Sequence, residues 1–105
     1  MGKKKVIYIA GAISGVERYW EAFEQAEDEL TAMGFTVLTP TRLPWDLDNR
    51  KAMPICLAMI DQADAVYFLK GWRMSVGASL EMTYCKYIGK PHTWNLADLA
   101  QMWEV

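Results

Sequence analysis

Gly71-Trp72-Arg73-Met74-Ser75-Val76-Gly77-Ala78-Ser79-Leu80-Glu81 comes just after Asp64-Ala65-Val66-Tyr67-Phe68-Leu69, and the order of these two runs decides the fold. The earlier run is apolar, β-branched and aromatic after Asp64, which is the pattern of a strand buried in a parallel sheet. The later run reads as a loop and then a helix start, with the helix extending to about Ile88. A helix start presents unpaired backbone N–H groups and the positive end of the helix dipole, and Ser75 followed by Gly77 lets an anion approach that backbone closely. Further along the same helix, Glu81 shares a face with Gly77, Ala78, Tyr84, Cys85 and Ile88. A lone carboxylate on an apolar face is costly to bury, so it is paired, capping a backbone group or chemically used.

The same alternation extends outward in both directions. Residues 5–10 read as a first strand, and Gly11-Ala12-Ile13-Ser14-Gly15 as a loop of small residues leading into a helix over 16–33. Phe23, Ala26, Leu30 and Met33 give that helix a core-facing stripe, and Gly34 is placed to end it. Residues 35–38 are a second strand, parallel to the first through a right-handed crossover. Residues 41–51 are polar and hold Pro44, so they read as a loop; Pro54 places the start of the next helix near Met53. A short fourth strand at 92–94 follows Gly89-Lys90-Pro91, and a last short helix begins at Asn95.

Strands and helices alternating at this spacing specify one α/β domain over residues 1–105: an open parallel sheet of about four strands with helices on both faces. Ligands of such sheets bind beyond the carboxyl ends of the strands, where strand order reverses. That edge collects the loops at 11–15, 40–51 and 71–75, with Glu81 above it. Asp61 and Asp64 fall where a helix ends and a strand begins, on the opposite edge.

Composition narrows the function classes. A chain of 105 residues with 52% hydrophobic content has material for one core. A net charge of −2 gives no electrostatic reason for nucleic-acid binding, and Lys3, Lys4 and Lys5 read as a solvated lead-in to the first strand rather than a secretory leader. No run reaches the ~18 apolar residues of a membrane span, and the expected location is cytoplasmic. Cys56 and Cys85 lie far apart without metal-ligand spacing and His92 is the single histidine, so a zinc site or a Ser-His-Asp triad lacks parts; no metal or cofactor is expected.

Taken singly, several of these features have ordinary structural explanations. The Gly11 loop is neither a dinucleotide fingerprint nor a P-loop, and Ser75 is a common kind of helix cap. Glu81 has a competing explanation as an ion pair with Arg73 or Arg50. Trp72 and Trp45 fall in loops at the ligand edge, where an aromatic face can stack on a flat ligand.

Taken together they carry a resemblance. Tyr8-Ile9-Ala10-Gly11-x-x-Ser14-Gly15, the Ala22-to-Gly34 helix pattern, Asp64-Ala65-Val66-Tyr67 and Gly71-Trp72-x-x-Ser75-x-Gly77-Ala78-x-x-Glu81 resemble the nucleoside 2-deoxyribosyltransferase superfamily, in particular a branch of short, mostly uncharacterised bacterial and phage proteins. The resemblance implies a flavodoxin-like fold and a glutamate, Glu81, that attacks the anomeric carbon of a nucleoside or nucleotide. It matches Tyr8 to a tyrosine beside that nucleophile, and Gly11, Ala12, Ser14 and Gly15 to a loop lining the base and sugar pocket. At Ser75 the transferases carry an aspartate that holds the sugar 5′ hydroxyl, and the nucleotide N-hydrolases a serine that holds a 5′ phosphate. Serine at a helix start suits phosphate. Active relatives also supply an aspartate that protonates or positions the leaving base. Cys56 stands in its place here, with Asp46 and Asp48 in the ligand-side loop as the acids to consider.

The expected function is therefore hydrolysis or transfer at an N-glycosidic bond of a (deoxy)nucleoside 5′-monophosphate or nucleoside, with Glu81 as nucleophile, Tyr8 orienting it, and Gly11, Asp46, Asp48, Trp72, Ser75 and Gly77 contacting substrate. The alternatives are a non-catalytic nucleotide-binding module and a protein that keeps only the fold. Self-association into a homodimer or larger assembly is expected from the apolar surface that a small Met- and Trp-rich domain leaves over and from the superfamily resemblance.

Overall fold

Val6-Ile7-Tyr8-Ile9-Ala10 forms β1 (Val6–Ala10), and its four residues from Ile7 onward are buried because helices cover both sides of it. In the computed structural model, which describes residues 3–103, there follow α1 (Tyr19–Ala32), β2 (Thr36–Leu38), α2 (Asn49–Gln62), β3 (Ala65–Phe68), α3 (Val76–Ile88), β4 (His92–Thr93) and α4 (Leu96–Gln101), with 3₁₀ turns at Pro40–Arg42 and Trp72–Met74. The four strands are all parallel in the order β2-β1-β3-β4. The architecture is the α/β sandwich the alternation called for.

Strand alternation sorts the core into two halves. Ile7 and Ile9 point to Phe23, Ala26 and Leu30 of α1 and to Leu99 of α4, while Tyr8 and Ala10 point to Cys56 and Ile60 of α2 and to Met82 and Cys85 of α3. Each fully buried aliphatic side chain of this set contributes about 1.5–3 kcal/mol relative to exposure. No helix among the described residues is long and apolar enough to cross a membrane.

β1 has β2 on one side and β3 on the other, so the chain reverses direction across the sheet at the carboxyl ends of β1 and β3. Gly11 follows β1 at this point, and Leu69 follows β3. A Cβ on Gly11 would come within 3.0 Å of Leu69 Cδ1, so the two chain ends approach closely only because Gly11 lacks one. Gly34 ends α1 in a left-handed conformation (φ 96°), with Phe35 N–H donating to Leu30 O and Gly34 N–H to Thr31 O. This is a Schellman motif, and Phe35 and Leu30 pack in the same core half.

Two helix starts differ from the sequence reading. α1 begins at Tyr19 rather than Val16, because Gly15 (φ 76°) and Arg18 (φ 56°) both adopt left-handed backbone and break the preceding residues into turns. α2 begins at Asn49 rather than near Met53, with Pro54 inside it. The Asp48 side chain accepts from Arg50 N–H at 2.8 Å and caps the first turn, and burial of Cys56 and Ile60 holds the rest. Pro54 and Arg50, one turn before it, are both exposed, so the helical bond that a proline cannot make is lost on the solvent side.

Candidate active site

Tyr8 is buried in mid-sheet facing α2 and α3, so its hydroxyl requires a partner inside the protein. Glu81 of α3 supplies one: Tyr8 OH donates to Glu81 Oε2 at 2.6 Å. Glu81 is only 4% exposed. Among the described residues its other oxygen, Oε1, makes no hydrogen bond, and no fully buried side-chain oxygen lacks a partner. Oε1 is therefore open to the cavity that Glu81 lines.

That cavity has a volume of about 720 Å³ and lies over the switch point, between the loop before α2, the first turns of α2 and the start of α3. It is large enough for a nucleotide, since small-molecule pockets run from roughly 300 to 1,000 Å³. Tyr8, Gly11, Ser14, Ser75, Gly77 and Glu81 all contribute to its wall. At one end Ser75 caps α3, its Oγ accepting from Ala78 N–H at 3.1 Å. The Ser75 hydroxyl proton remains available to donate outward, next to the N–H groups of the first helical turn. Across the cavity, Asn49 Nδ2 donates to Ser14 Oγ at 3.3 Å and ties the loop after β1 to the start of α2.

Burial dominates the electrostatics here. It pushes the Glu81 carboxyl up to about 7, against the smaller opposing effect of the Tyr8 hydrogen bond, which favours the ionised form. The Tyr8 hydroxyl is driven well above its ordinary value, first by burial and then by the Glu81 charge, so it acts as a fixed donor. Burial likewise raises the Cys56 thiol, which lies against this pair in the cavity wall. Near neutral pH the carboxyl is poised between its two forms, while its neighbours stay protonated.

Other residues singled out in the sequence lie elsewhere. Asp48 is committed to the α2 cap, with Arg50 Nε 3.6 Å from its Oδ1, and Asp46 is exposed; neither belongs to the cavity wall. Trp72 packs on Phe68 at 5.4 Å between ring centroids and lies outside the wall, and Ala12 and Gly15 are not wall residues either. Trp45 is the tryptophan that lines the cavity, with 88% of its surface exposed. Arg73 stacks on Trp72 and Trp94, and Arg50 is taken up by Asp48, so neither neutralises Glu81. Asp61 and Asp64 are on the far edge, bonded to Tyr84 OH and Val6 N–H. The sequence reading missed Asn49 and Met53 as wall residues. Asp48 was the signal, since an aspartate before a helical run is a common cap, but the helix-breaking weight given to Pro54 hid it.

Among the described residues no group of three or more His, Cys, Asp or Glu side chains could hold a metal ion.

This sheet order, with a carboxylate-bearing cavity at its switch point, defines an α/β fold that solved 2-deoxyribosyltransferases share. A 2-desoxiribosyltransferase from Leishmania mexicana superposes with a TM-score of 0.67 at 19% identity, covering 84% of this chain and 61% of that one. The 2-deoxyribosyltransferase of Bacillus psychrosaccharolyticus, described as a biocatalyst for nucleoside synthesis, gives 0.66 at 20% identity, covering 88% and 78%. The chain thus spans about three fifths of the length of the Leishmania protein. No curated protein matches its sequence. Residues 5–93 match the family described as Domain of unknown function (DUF4406), and the chain belongs to that family.

Proposed function

We propose that the protein breaks an N-glycosidic bond of a (deoxy)nucleoside 5′-monophosphate or nucleoside, with Glu81 as nucleophile. One observation carries this reading: a carboxylate 4% exposed, held by a tyrosine hydroxyl at 2.6 Å and free at its second oxygen, opens on a nucleotide-sized cavity at the switch point. Cleavage of such a bond passes through an oxocarbenium-like state that a carboxylate stabilises and can trap as a glycosyl ester. Tyr8 holds Oε2 and leaves Oε1 to attack, while Ser75 and the first turn of α3 receive the 5′ phosphate. Water then completes hydrolysis, or a second base completes transfer.

A non-catalytic nucleotide-binding module is the second reading, and it has an observation of its own. Glu81 is the one acidic side chain in the cavity wall among the described residues, with the Cys56 thiol in place of a second acid. Incubating the purified protein with deoxynucleoside 5′-monophosphates and following free base by chromatography separates the two. Release that disappears in Glu81→Gln is expected of the enzyme; saturable binding with no release would leave only the module.

A further inference from the structure

A glycosyl transfer centre needs more than a nucleophile, because a neutral base leaves as an anion unless something protonates it, and a positioned acid for that purpose contributes typically 10²–10⁴-fold. This cavity offers poor candidates. Among the described residues its wall holds one carboxyl group, Glu81, which the proposed mechanism already uses as nucleophile. Tyr8 has its proton directed at Glu81 Oε2, and Cys56 is a buried thiol. Asp48 caps α2 and Asp46 lies outside the wall.

The rest of the wall suits a different leaving group. Apart from Arg50, whose side chain is 93% exposed and faces Asp48, the wall contains no basic residue among the described residues, so the charge they place inside it is that of Glu81. Tyr19 and Trp45 supply aromatic surface to the wall, and an aromatic face attracts a flat cation. A positive ring beside Glu81 would also hold the carboxyl in its ionised, nucleophilic form.

We propose that the preferred substrate is a cationic N-glycoside: a nucleotide whose base carries a formal positive charge and departs as a neutral molecule. The proposal rests on Glu81 being the nucleophile, as argued above. Glu81 Oε1 forms a bond to the anomeric carbon as the carbon–nitrogen bond breaks, and the bonding pair passes to the ring nitrogen and cancels the positive charge of the base. No proton moves in this step. Water then bonds to the anomeric carbon, the ester oxygen takes its electron pair back as the Glu81 carboxylate, and one proton goes to solvent.

The test compares 7-methyl-2′-deoxyguanosine 5′-monophosphate with 2′-deoxyguanosine 5′-monophosphate, which differ in the methyl group and the charge it creates. kcat/KM for base release is measured for each and divided by that nucleotide's spontaneous rate in the same buffer. The expected enhancement is at least about 100-fold larger for the cationic member. Cys56→Asp, which places an acid beside the leaving group, is expected to narrow that ratio by raising release from the neutral member; should this variant not fold, the wild-type ratio decides alone. Equal enhancements, or a larger one for the neutral nucleotide, overturn the cation preference and leave Glu81 as nucleophile intact. Binding of both nucleotides with release from neither overturns both readings.

Discussion

Two tyrosine–carboxylate pairs occupy opposite edges of the sheet, and they are chemically near-identical. On the ligand side Tyr8 OH donates to Glu81 at 2.6 Å; on the far side Tyr84 OH donates to Asp61 at 2.7 Å. The hydrogen bonds match in length, so they are not what sets the pairs apart. Glu81 is sealed to 4% exposure beneath a cavity, whereas Asp61 stands in solvent at the end of α2. Water stabilises the Asp61 charge at no structural cost. Glu81 has given up that water, and its carboxyl rises to about 7 in consequence. That cost, borne at one of two otherwise similar pairs, is what the role proposed for Glu81 draws on.

The sharpest way to break this contrast is kinetic. Glu81→Gln is expected to lower base release by about 10³-fold or more, as loss of a nucleophile does, while Asp61→Asn leaves it unchanged; a comparable loss in both would dissolve the distinction. Next comes stability. Because folding raises the Glu81 pKa from 4.5 to about 7, the native state binds the proton more tightly than the unfolded chain does. Stability linked to this group is fully present below about pH 4.5 and is lost as pH rises through about 7, by about 3 kcal/mol in all. Glu81→Gln, which carries no charge and can still accept from Tyr8, should therefore unfold at higher denaturant than wild type at pH 8, with the gap closing at pH 4.5. Asp61→Asn, on the surface, should stay within about 0.5 kcal/mol at both pH values.

A smaller effect refines the contrast. Tyr8→Phe removes the donor that favours ionised Glu81, so the rise of activity with pH should move to higher pH. A kcat profile that drops in height without moving would show that Tyr8 acts by packing alone. Smallest is Ser75→Ala, which removes the α3 cap and should cost about 1 kcal/mol in chemical denaturation. If Ser75 also holds the phosphate, KM for a nucleoside 5′-monophosphate should rise while KM for the corresponding nucleoside stays put.

The legibility of the site followed from how local each signal was. Ser75, Gly77 and Glu81 lie within one turn-and-helix segment, so their spacing alone put them on a common edge. Asn49 and Met53 depended on where α2 begins, and Pro54 misdirected that reading, because a proline on the exposed side of a helix already capped and buried costs less than the rule for a helix interior implies. Trp45 and Trp72 were indistinguishable as loop tryptophans. Packing against Phe68 took Trp72 out of the wall and left Trp45 on the cavity.

Local pattern therefore determined the strand and helix alternation, the parallel sheet, the ligand edge and the helix that bears Glu81, since each depends on residues near one another in the chain. Tertiary structure alone decided that Tyr8, 73 positions from Glu81, would donate to it, and that neither Arg73 nor Arg50 would neutralise it. The physical reason is that burial and partnership are properties of the assembled core. A sequence names the groups able to carry charge or a proton, but how far water is excluded from each depends on what distant segments bring against it.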